Sequence, residues 1–402
     1  MNTDRGLLLE RIHADAEAGL TEAGFHLERV DGALDEASLI ESIPSTCVLG
    51  IRSKTHITEA VLDAATDLHA IGCFCIGTNQ VDLIAAARRG VVVFNSPFSN
   101  TRSVAEMTLA EIIALHRGLF DRSRELHEGT WHKTAAGAHE VRGRTLGIVG
   151  YGHIGSQISV LAEALGMRVL FYDVQPRMAL GNATAVSSLK DLLSSSDVVT
   201  LHVPATPATV NMIGADELAC MPAHASLINN ARGSVVDLDA LADALAAGRI
   251  GGAAIDVYPT EPESGEAPFS CPLAGLPNVI LTPHVGGSTL EAQAGIAREV
   301  ALKLARFRTT GTTTTAVNVP EVDLPLIRPE HLRILHFHKN VPGVLSSMHA
   351  AIARLDANIH AEYLQSLGEL SYVILDVDRV DIESLRSAIL EIPETIRLRI
   401  LD

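Results

Sequence analysis

The chain has 402 residues, 47% of them hydrophobic and 20% charged, enough for a sizeable core spread over two or three domains. Apolar content and persistent patterning exclude general disorder, and no stretch approaches the roughly eighteen apolar residues of a membrane span. With 31 Lys and Arg against 48 Asp and Glu the net charge is −17, so no basic footprint for nucleic acid exists, and an anionic substrate would need cations gathered locally.

The chain opens with only Leu7-Leu8-Leu9 between charges, so no signal peptide is expected and the protein should be cytoplasmic. Residues 7–98 alternate short apolar runs, such as Cys47 to Ile51 and Val91 to Phe94, with amphipathic stretches. That rhythm predicts an α/β domain with parallel strands. From Val141 to Pro283 the same rhythm returns more strongly. A helix is expected over 289–308, then a linker where a threonine-rich run, 309–315, surrounds Gly311 and leads to Pro320 and Pro325. The tail reads as strand 331–337, helix 342–355, strand 358–366, strand 370–377, helix 381–391 and strand 395–401. This βαββαβ order is a ferredoxin-like layout. The five cysteines (Cys47, Cys73, Cys75, Cys220, Cys271) contain no C-x-x-C pair, so reduced thiols and no metal site are expected.

The strand Thr145 to Val149 runs into Gly150-Tyr151-Gly152-His153-Ile154-Gly155 and then a helical pattern. A bare G-x-G-x-x-G is weak, but strand, turn, helix and next strand all fall where a dinucleotide fingerprint needs them. Gly150 permits the tight turn, Gly152 lets backbone approach the pyrophosphate, and Gly155 allows helix to pack on strand. The helix start then offers free N–H groups to the anion. Asp173 closes the next strand, where a carboxylate can accept from both ribose hydroxyls and repel a 2′-phosphate, favouring NAD over NADP. Arg177 is close enough to weaken that preference, and a helix cap is the plainer reading of Asp173.

Three further segments put polar groups at strand ends: Leu227 to Arg232, Ala253 to Glu261, and Val279 to Gly287. Singly, Arg232 could be a surface ion pair, Glu261 a solvated acid and His284 a core histidine. At successive strand ends behind a dinucleotide turn they converge on one crevice.

The strings GYGHIG, INNARG, AAIDVYPTEP and LTPHVGGST resemble the D-isomer-specific 2-hydroxyacid dehydrogenases. CIGTNQVDL (75–83) and PFSNTRSVAE (97–106) carry the likeness further, toward members with a C-terminal ACT domain. The resemblance implies a Rossmann-type nucleotide domain (99–284) inserted in a flavodoxin-like substrate domain (1–98 and 285–308). A linker (309–330) and an ACT regulatory domain (331–402) follow. It also implies NAD as cofactor and a homo-oligomer, a tetramer in the family. His284 would be the acid/base, since imidazole can take and return a proton near neutrality. Glu261 would orient it, and Arg232 would bind the substrate carboxylate with a planar fork. Asn230, Ala231, Arg232, Asp256, His284, Val285, Gly286 and Gly287 would surround the nicotinamide end, with His153 and Ile154 against the pyrophosphate.

For substrate, the resemblance implies contacts from Arg52, Lys54, Asn100 and Lys133, although Lys54 and His132 depart from the arginine and asparagine of the family. It leads to oxidation of 3-phospho-D-glycerate to 3-phosphooxypyruvate, the first step toward L-serine. In the tail, H-x-N-x-P-G-V-L (338–345) resembles the ligand loop of ACT domains, which implies L-serine as effector at His338, Asn340 and Asn358. A purely dimerising tail is the plainer alternative. Reduction of 2-oxoglutarate or hydroxypyruvate stays open as another activity. A nucleotide-sensing regulator stays open as a non-enzyme reading, though a sensor has no need of a proton shuttle.

Overall fold

The computed structural model describes residues 4–262 and 269–402. It divides into two compact units, one formed by residues 1–99 and 293–402, the other by 100–292.

The first unit starts with a parallel sheet of β1 (Arg5–Leu8), β2 (His26–Arg29), β3 (Val48–Ile51), β4 (Ala70–Cys73) and β5 (Val92–Asn95), in the order β2-β1-β3-β4-β5. Helices α1 (Ala14–Glu22), α2 (Glu36–Ser42), α3 (Glu59–Ala64) and α4 (Leu83–Arg88) connect the strands. Asp35, Thr58 and Asp82 start the last three by accepting from the third amide onward, which satisfies an orphan donor. Strand residues alternate between two cores. Leu7, Leu49, Ile71 and Val93 meet α2, α3 and α4, whereas Leu8, Val48, Ala70 and Val92 meet α1 and a late helix. Burial on both faces is why these strands read as continuous apolar runs.

The second unit opens with α5 (Thr101–Arg117) and α6 (Leu119–His127) and holds a seven-stranded parallel sheet. Its strands are β6 (Thr145–Val149), β7 (Arg168–Tyr172), β8 (Thr184–Ala185), β9 (Val198–Leu201), β10 (Ser226–Asn229), β11 (Gly252–Ile255) and β12 (Val279–Leu281). Helices α7 (His153–Ala164), α8 (Leu189–Ser195), α9 (Ala215–Ala219) and α10 (Leu238–Ala246) link them. The order β12-β11-β10-β9-β6-β7-β8 reverses direction at β6, the switch point where doubly wound sheets open a ligand crevice. The sequence placed the return to the first domain at 285. The structure keeps 285–292 in this unit, because Val285 and Gly286 donate to Asp256 and Thr289 bonds Ser103.

Helix α11 (Leu290–Thr310) then seals the first sheet with Ile296, Val300, Leu304 and Phe307. The tail forms β13 (His331–Lys339), α12 (Val344–Arg354), β14 (Ile359–Leu367), β15 (Leu370–Asp378), α13 (Ile382–Leu390) and β16 (Thr395–Leu401), an antiparallel sheet in the order β14-β15-β13-β16. β13 and β15 are buried at every position except their last, so neither face of this part of the sheet is left to solvent. Leu332, Ile334, Val373 and Leu375 meet α12 and α13. Leu335, Phe337, Tyr372 and Ile374 join the core of the first sheet. Each such side chain contributes roughly 1.5–3 kcal/mol by leaving water.

The expected linker is therefore not a free tether. Thr312 and Thr313 are buried, with hydroxyls donating to the carbonyls of Val322 and Pro320, and helix α11 continues through Thr310. Gly311 has φ +77°, and its carbonyl accepts from the buried Tyr372 hydroxyl at 2.7 Å. Arg333, wholly buried, forks onto Asp376 at 2.6 and 2.8 Å and reaches the Thr310 carbonyl. The five cysteines are free thiols; burial pushes Cys47 and Cys75 up to about 11. Among the described residues no helix is long and apolar enough to cross a membrane.

Candidate active site

The turn after β6 is shaped by what a side chain would hit. Gly150 sits at φ +91°, and a methyl group there would lie 2.5 Å from the His202 carbonyl that follows β9. Gly155 would clash with the carbonyl of Gly150, so α7 can pack this close only without a Cβ. Around Gly152, by contrast, there is open space, and α7 begins there without a side-chain cap. Uncapped N–H groups facing open space are what a pyrophosphate requires. His153 is exposed at the first turn of α7 and Ile154 is half-buried behind it. Asp173 follows β7 and accepts from the Tyr151 amide at 2.9 Å and the Gln175 amide at 2.8 Å. It thus caps its own turn and fixes the glycine loop. Arg177 pairs with it at 3.4 Å, and a carboxylate with four lone-pair sites still has room for a ribose hydroxyl.

At the ends of β10, β11 and β12 the other residues meet. Asp256 is buried and organises them: one oxygen accepts from Thr282 Oγ1 (2.6 Å) and the Val285 amide (2.8 Å), the other from the Gly286 amide (2.8 Å). Its carbonyl accepts from the His284 amide, which holds His284 at φ +54°, in the left-handed region. Gly286 and Gly287 lack room for a Cβ, the first against Asp256 and the second against the Asn100 side chain. His284 Nδ1 lies 2.7 Å from Glu261 Oε2, and the other Glu261 oxygen accepts from the Tyr258 amide at 3.2 Å. Tyr258 donates its hydroxyl to the carbonyls of Ile255 and Thr282, tying the two strand ends together. Arg232 donates to the neighbouring Ala231 carbonyl at 2.7 Å and has no carboxylate partner among the described residues. Ala231 and Asn100 are buried beside this cluster, and Oδ1 of Asn100 lacks a partner among the described residues.

Asn230 turns inward. Its amide donates to Glu111 Oε2 at 2.7 Å and to Thr108 Oγ1 at 3.0 Å, both on α5. Glu111 escaped the sequence reading because it stands inside an amphipathic helix. A lone acid three residues after Thr108 and beside Ile112 was the available signal. Burial raises its carboxyl to about 7, helped by the charge of Asp256 and opposed by the Asn230 hydrogen bond. A folded-state pKa raised this way penalises the ionised form, so stability falls as pH rises from about 4.5 toward 7 and the full cost stands above it. Glu111→Gln should therefore lose less stability than the parent between pH 5 and 8, by on the order of 3 kcal/mol at most. Urea midpoints across that range check this; parallel curves would place Glu111 in a wetter setting.

In the first unit, Arg52 and Lys54 lie in the loop after β3. Glu10, which the sequence reading passed over, accepts from the amides of Arg52 (3.2 Å), Lys54 (3.0 Å) and Thr55 (2.9 Å). Gln80 holds the Arg52 carbonyl at 2.6 Å. The backbone is thereby pinned while both cationic side chains are left without an ion pair among the described residues. Lys133 is exposed in the second unit, and so is Trp131, at 79%.

The tail separates its three expected ligand residues. His338 and Asn340 lie where β13 ends; Asn340 donates to the Gly368 carbonyl at 3.0 Å. Asn358 lies at the other end of the sheet, where its amide donates to Asp378 at 2.9 Å. The β13–β15 register runs from His331↔Asp378 to Lys339↔Leu370, so the ends are about 27 Å apart at roughly 3.4 Å per residue. Burial holds His338 neutral, with Nδ1 2.9 Å from the Lys339 carbonyl and Nε2 unpartnered.

Comparison with known proteins agrees with this layout. Residues 109–286 match the D-isomer specific 2-hydroxyacid dehydrogenase NAD binding domain, and residues 334–397 match an ACT domain of the AHAS small subunit type. The chain belongs to the NAD-dependent D-isomer-specific 2-hydroxyacid dehydrogenases, with an ACT domain at its C-terminal side. Among its relatives is the D-3-phosphoglycerate dehydrogenase of Escherichia coli (strain K12), 52% identical over 398 residues, covering 98% of this chain and 97% of that one. The D-3-phosphoglycerate dehydrogenase of Dictyostelium discoideum is 48% identical over 395 residues, with 98% and 96% covered. A solved D-lactate dehydrogenase from Aquifex aeolicus, complexed with NAD and lactic acid, aligns with a TM-score of 0.65 at 28% identity, covering 75% of this chain and 95% of that one.

Proposed function

We propose that this chain oxidises 3-phospho-D-glycerate to 3-phosphooxypyruvate in the cytoplasm, the first step toward L-serine. The observation that carries the reading is the 2.7 Å contact of His284 with Glu261 at a strand end, together with Arg232 at another strand end without a carboxylate partner among the described residues. NAD, when bound, supplies the acceptor for the hydride leaving C2. His284 takes the hydroxyl proton at Nε2, because Glu261 holds Nδ1 and stabilises the imidazolium that forms. Arg232 binds the substrate carboxylate and polarises the C2 oxygen. Asn100 and Lys133 add substrate contacts, and Arg52 and Lys54, whose loop is set by Glu10, supply charge for the phosphate. The names and near full-length identity of the relatives support this substrate.

NADH consumption with phosphohydroxypyruvate, 2-oxoglutarate and hydroxypyruvate tests it. The phosphorylated substrate should give the highest kcat/KM; a higher value for 2-oxoglutarate, also doubly anionic, would replace the assignment. The His284, Glu261 and Arg232 set weighs against a nucleotide sensor. Asp173 is assigned to the adenosine ribose, with Gly150, Gly152, His153, Ile154 and Gly155 at the pyrophosphate. Asp173→Ala should then lower the NAD-to-NADP ratio of kcat/KM by about tenfold or more, since repulsion of a 2′-phosphate disappears. An unchanged ratio would remove Asp173 from the ribose.

The ACT domain fits an amino-acid effector, and L-serine is the one proposed. Because one chain holds Asn358 about 27 Å from His338 and Asn340 (from strand rise), the site is assigned to two chains, each lending one end of its sheet. Asn340→Ala and Asn358→Ala should each abolish serine inhibition. Oligomers mixed from the two variants should regain part of it, since one of every two paired sites is then intact. No recovery in the mixture would exclude a shared site.

A further inference from the structure

The seam within the first unit, where the tail sheet lies on the first sheet, holds two arginines, Arg397 and Arg399, that bond to no carboxylate among the described residues. Arg397 of β16 donates through Nε to the Arg89 carbonyl (2.8 Å) and through Nη1 to the Leu68 carbonyl (2.5 Å) and His69 Nδ1 (3.0 Å). Arg399, two residues on and so on the same face, donates Nη2 to the Arg308 carbonyl at 3.2 Å and lies over the Phe307 ring at 5.1 Å. Its Nη1 is buried and has no hydrogen-bond partner among the described residues. Neither arginine meets a carboxylate among the described residues. Burial and neighbouring guanidinium charge lower both, Arg397 to about 10. His69, beside Arg308, Arg397 and Arg399, is driven down to about 2, by burial first and then by their charge.

Next to these groups is a cavity of about 590 Å³, bounded by β3, β4, the end of α11 and β16. Arg399, Arg308, Arg386 and His69 line it, with Cys47 and Phe307 supplying less polar wall. Of its acids, Asp4 is taken up by Arg308 within the lining at 2.5 Å and Asp402 by Arg379, while Arg386 makes a loose, exposed pair with Glu383 at 3.6 Å. Asp67 is exposed at the surface, where water screens it. Burying a cation without a countercharge is costly, and a protein retains one where something else neutralises it. We propose that this cavity binds a small oxyanion, the phosphate or carboxylate group of a metabolite, through Arg399, Arg386 and His69. Because Nδ1 of His69 accepts from Arg397, Nε2 carries the proton and is the donor. An occupant would bridge β16 of the ACT domain to β4 of the first sheet, joining the two modules through a soluble ligand. This site is separate from the loop of Arg52 and Lys54.

Equilibrium dialysis of the full chain with labelled inorganic phosphate, and in parallel with citrate, tests the proposal. Arg52→Ala/Lys54→Ala should retain one bound anion per chain, which separates this site from the substrate assignment. In that background Arg399→Met should weaken the remaining binding at least tenfold, and Arg386→Ala, a more exposed position, severalfold. Preference for phosphate or citrate then tells which anion class the cavity selects. Binding unchanged in Arg399→Met and Arg386→Ala, or absent for both anions in the parent, overturns the site. The melting temperature without anion confirms that Arg399→Met is folded, and Arg386→Ala stands as the second variant if it is not.

Discussion

His284→Ala is expected to reduce turnover by about 10²–10⁴-fold, the usual loss when a general acid/base is removed. NAD affinity should hardly change, because the glycine turn at 150–155 and Asp173 stand on β6 and β7, away from the His284 loop at the end of β12. One complication is conformational. His284 has φ +54°, where alanine is strained, so part of any loss could come from a shifted loop. His284→Asn resolves this, since asparagine tolerates the left-handed region and keeps a polar side chain that cannot shuttle the proton. Both variants should be equally slow while binding NAD, measured by calorimetry, as the parent does. Turnover near the parent's in either one would remove His284 from the reaction.

Arg232→Ala should cost about 10²–10⁴-fold in kcat/KM for the hydroxy-acid substrate. The estimate takes two charge-assisted hydrogen bonds of about 1.5–3 kcal/mol each, lost together, at 1.4 kcal/mol per factor of ten. Among the described residues only one bond of the guanidinium is committed, to the Ala231 carbonyl, which leaves donors for the substrate. Arg232→Lys should recover only a small part, because an ammonium is a point charge and cannot offer a planar pair of donors. Added guanidinium ion should restore some activity to Arg232→Ala and none to Arg232→Lys, where the lysine stem fills the space. If the alanine variant keeps its kcat/KM, Arg232 is a backbone clamp at its own loop and nothing more.

Much of the nucleotide half was legible in the residues. The turn at Gly150, Gly152 and Gly155 could be read because each glycine answers a local demand: a positive φ, open space for an anion, contact of helix with strand. His284, Glu261 and Arg232 could be read because parallel strands deliver their ends to one edge of a sheet. The resemblance implies Asp256 at the nicotinamide end, and the fold adds a second task, since its two oxygens also hold Thr282 and the His284 loop. Glu10 and Glu111 were invisible, since a buried carboxyl that caps a distant loop or meets an inward asparagine leaves no periodic trace.

The amino-acid sequence by itself determined the kinds of element, their order, the dinucleotide turn and the residue types at the strand ends. All of these follow from local conformational preference and from the spacing of apolar side chains. Only the tertiary structure decided that the threonine run is buried, and that the tail sheet is covered on both faces. It also decided that Asn358 stands at the opposite end from Asn340, and that Arg397 and Arg399 share a seam in which neither bonds to a carboxylate among the described residues. Those outcomes depend on which surfaces meet across hundreds of residues. A hydrophobic pattern tells that a face must leave water, but the choice of what covers it belongs to the folded chain.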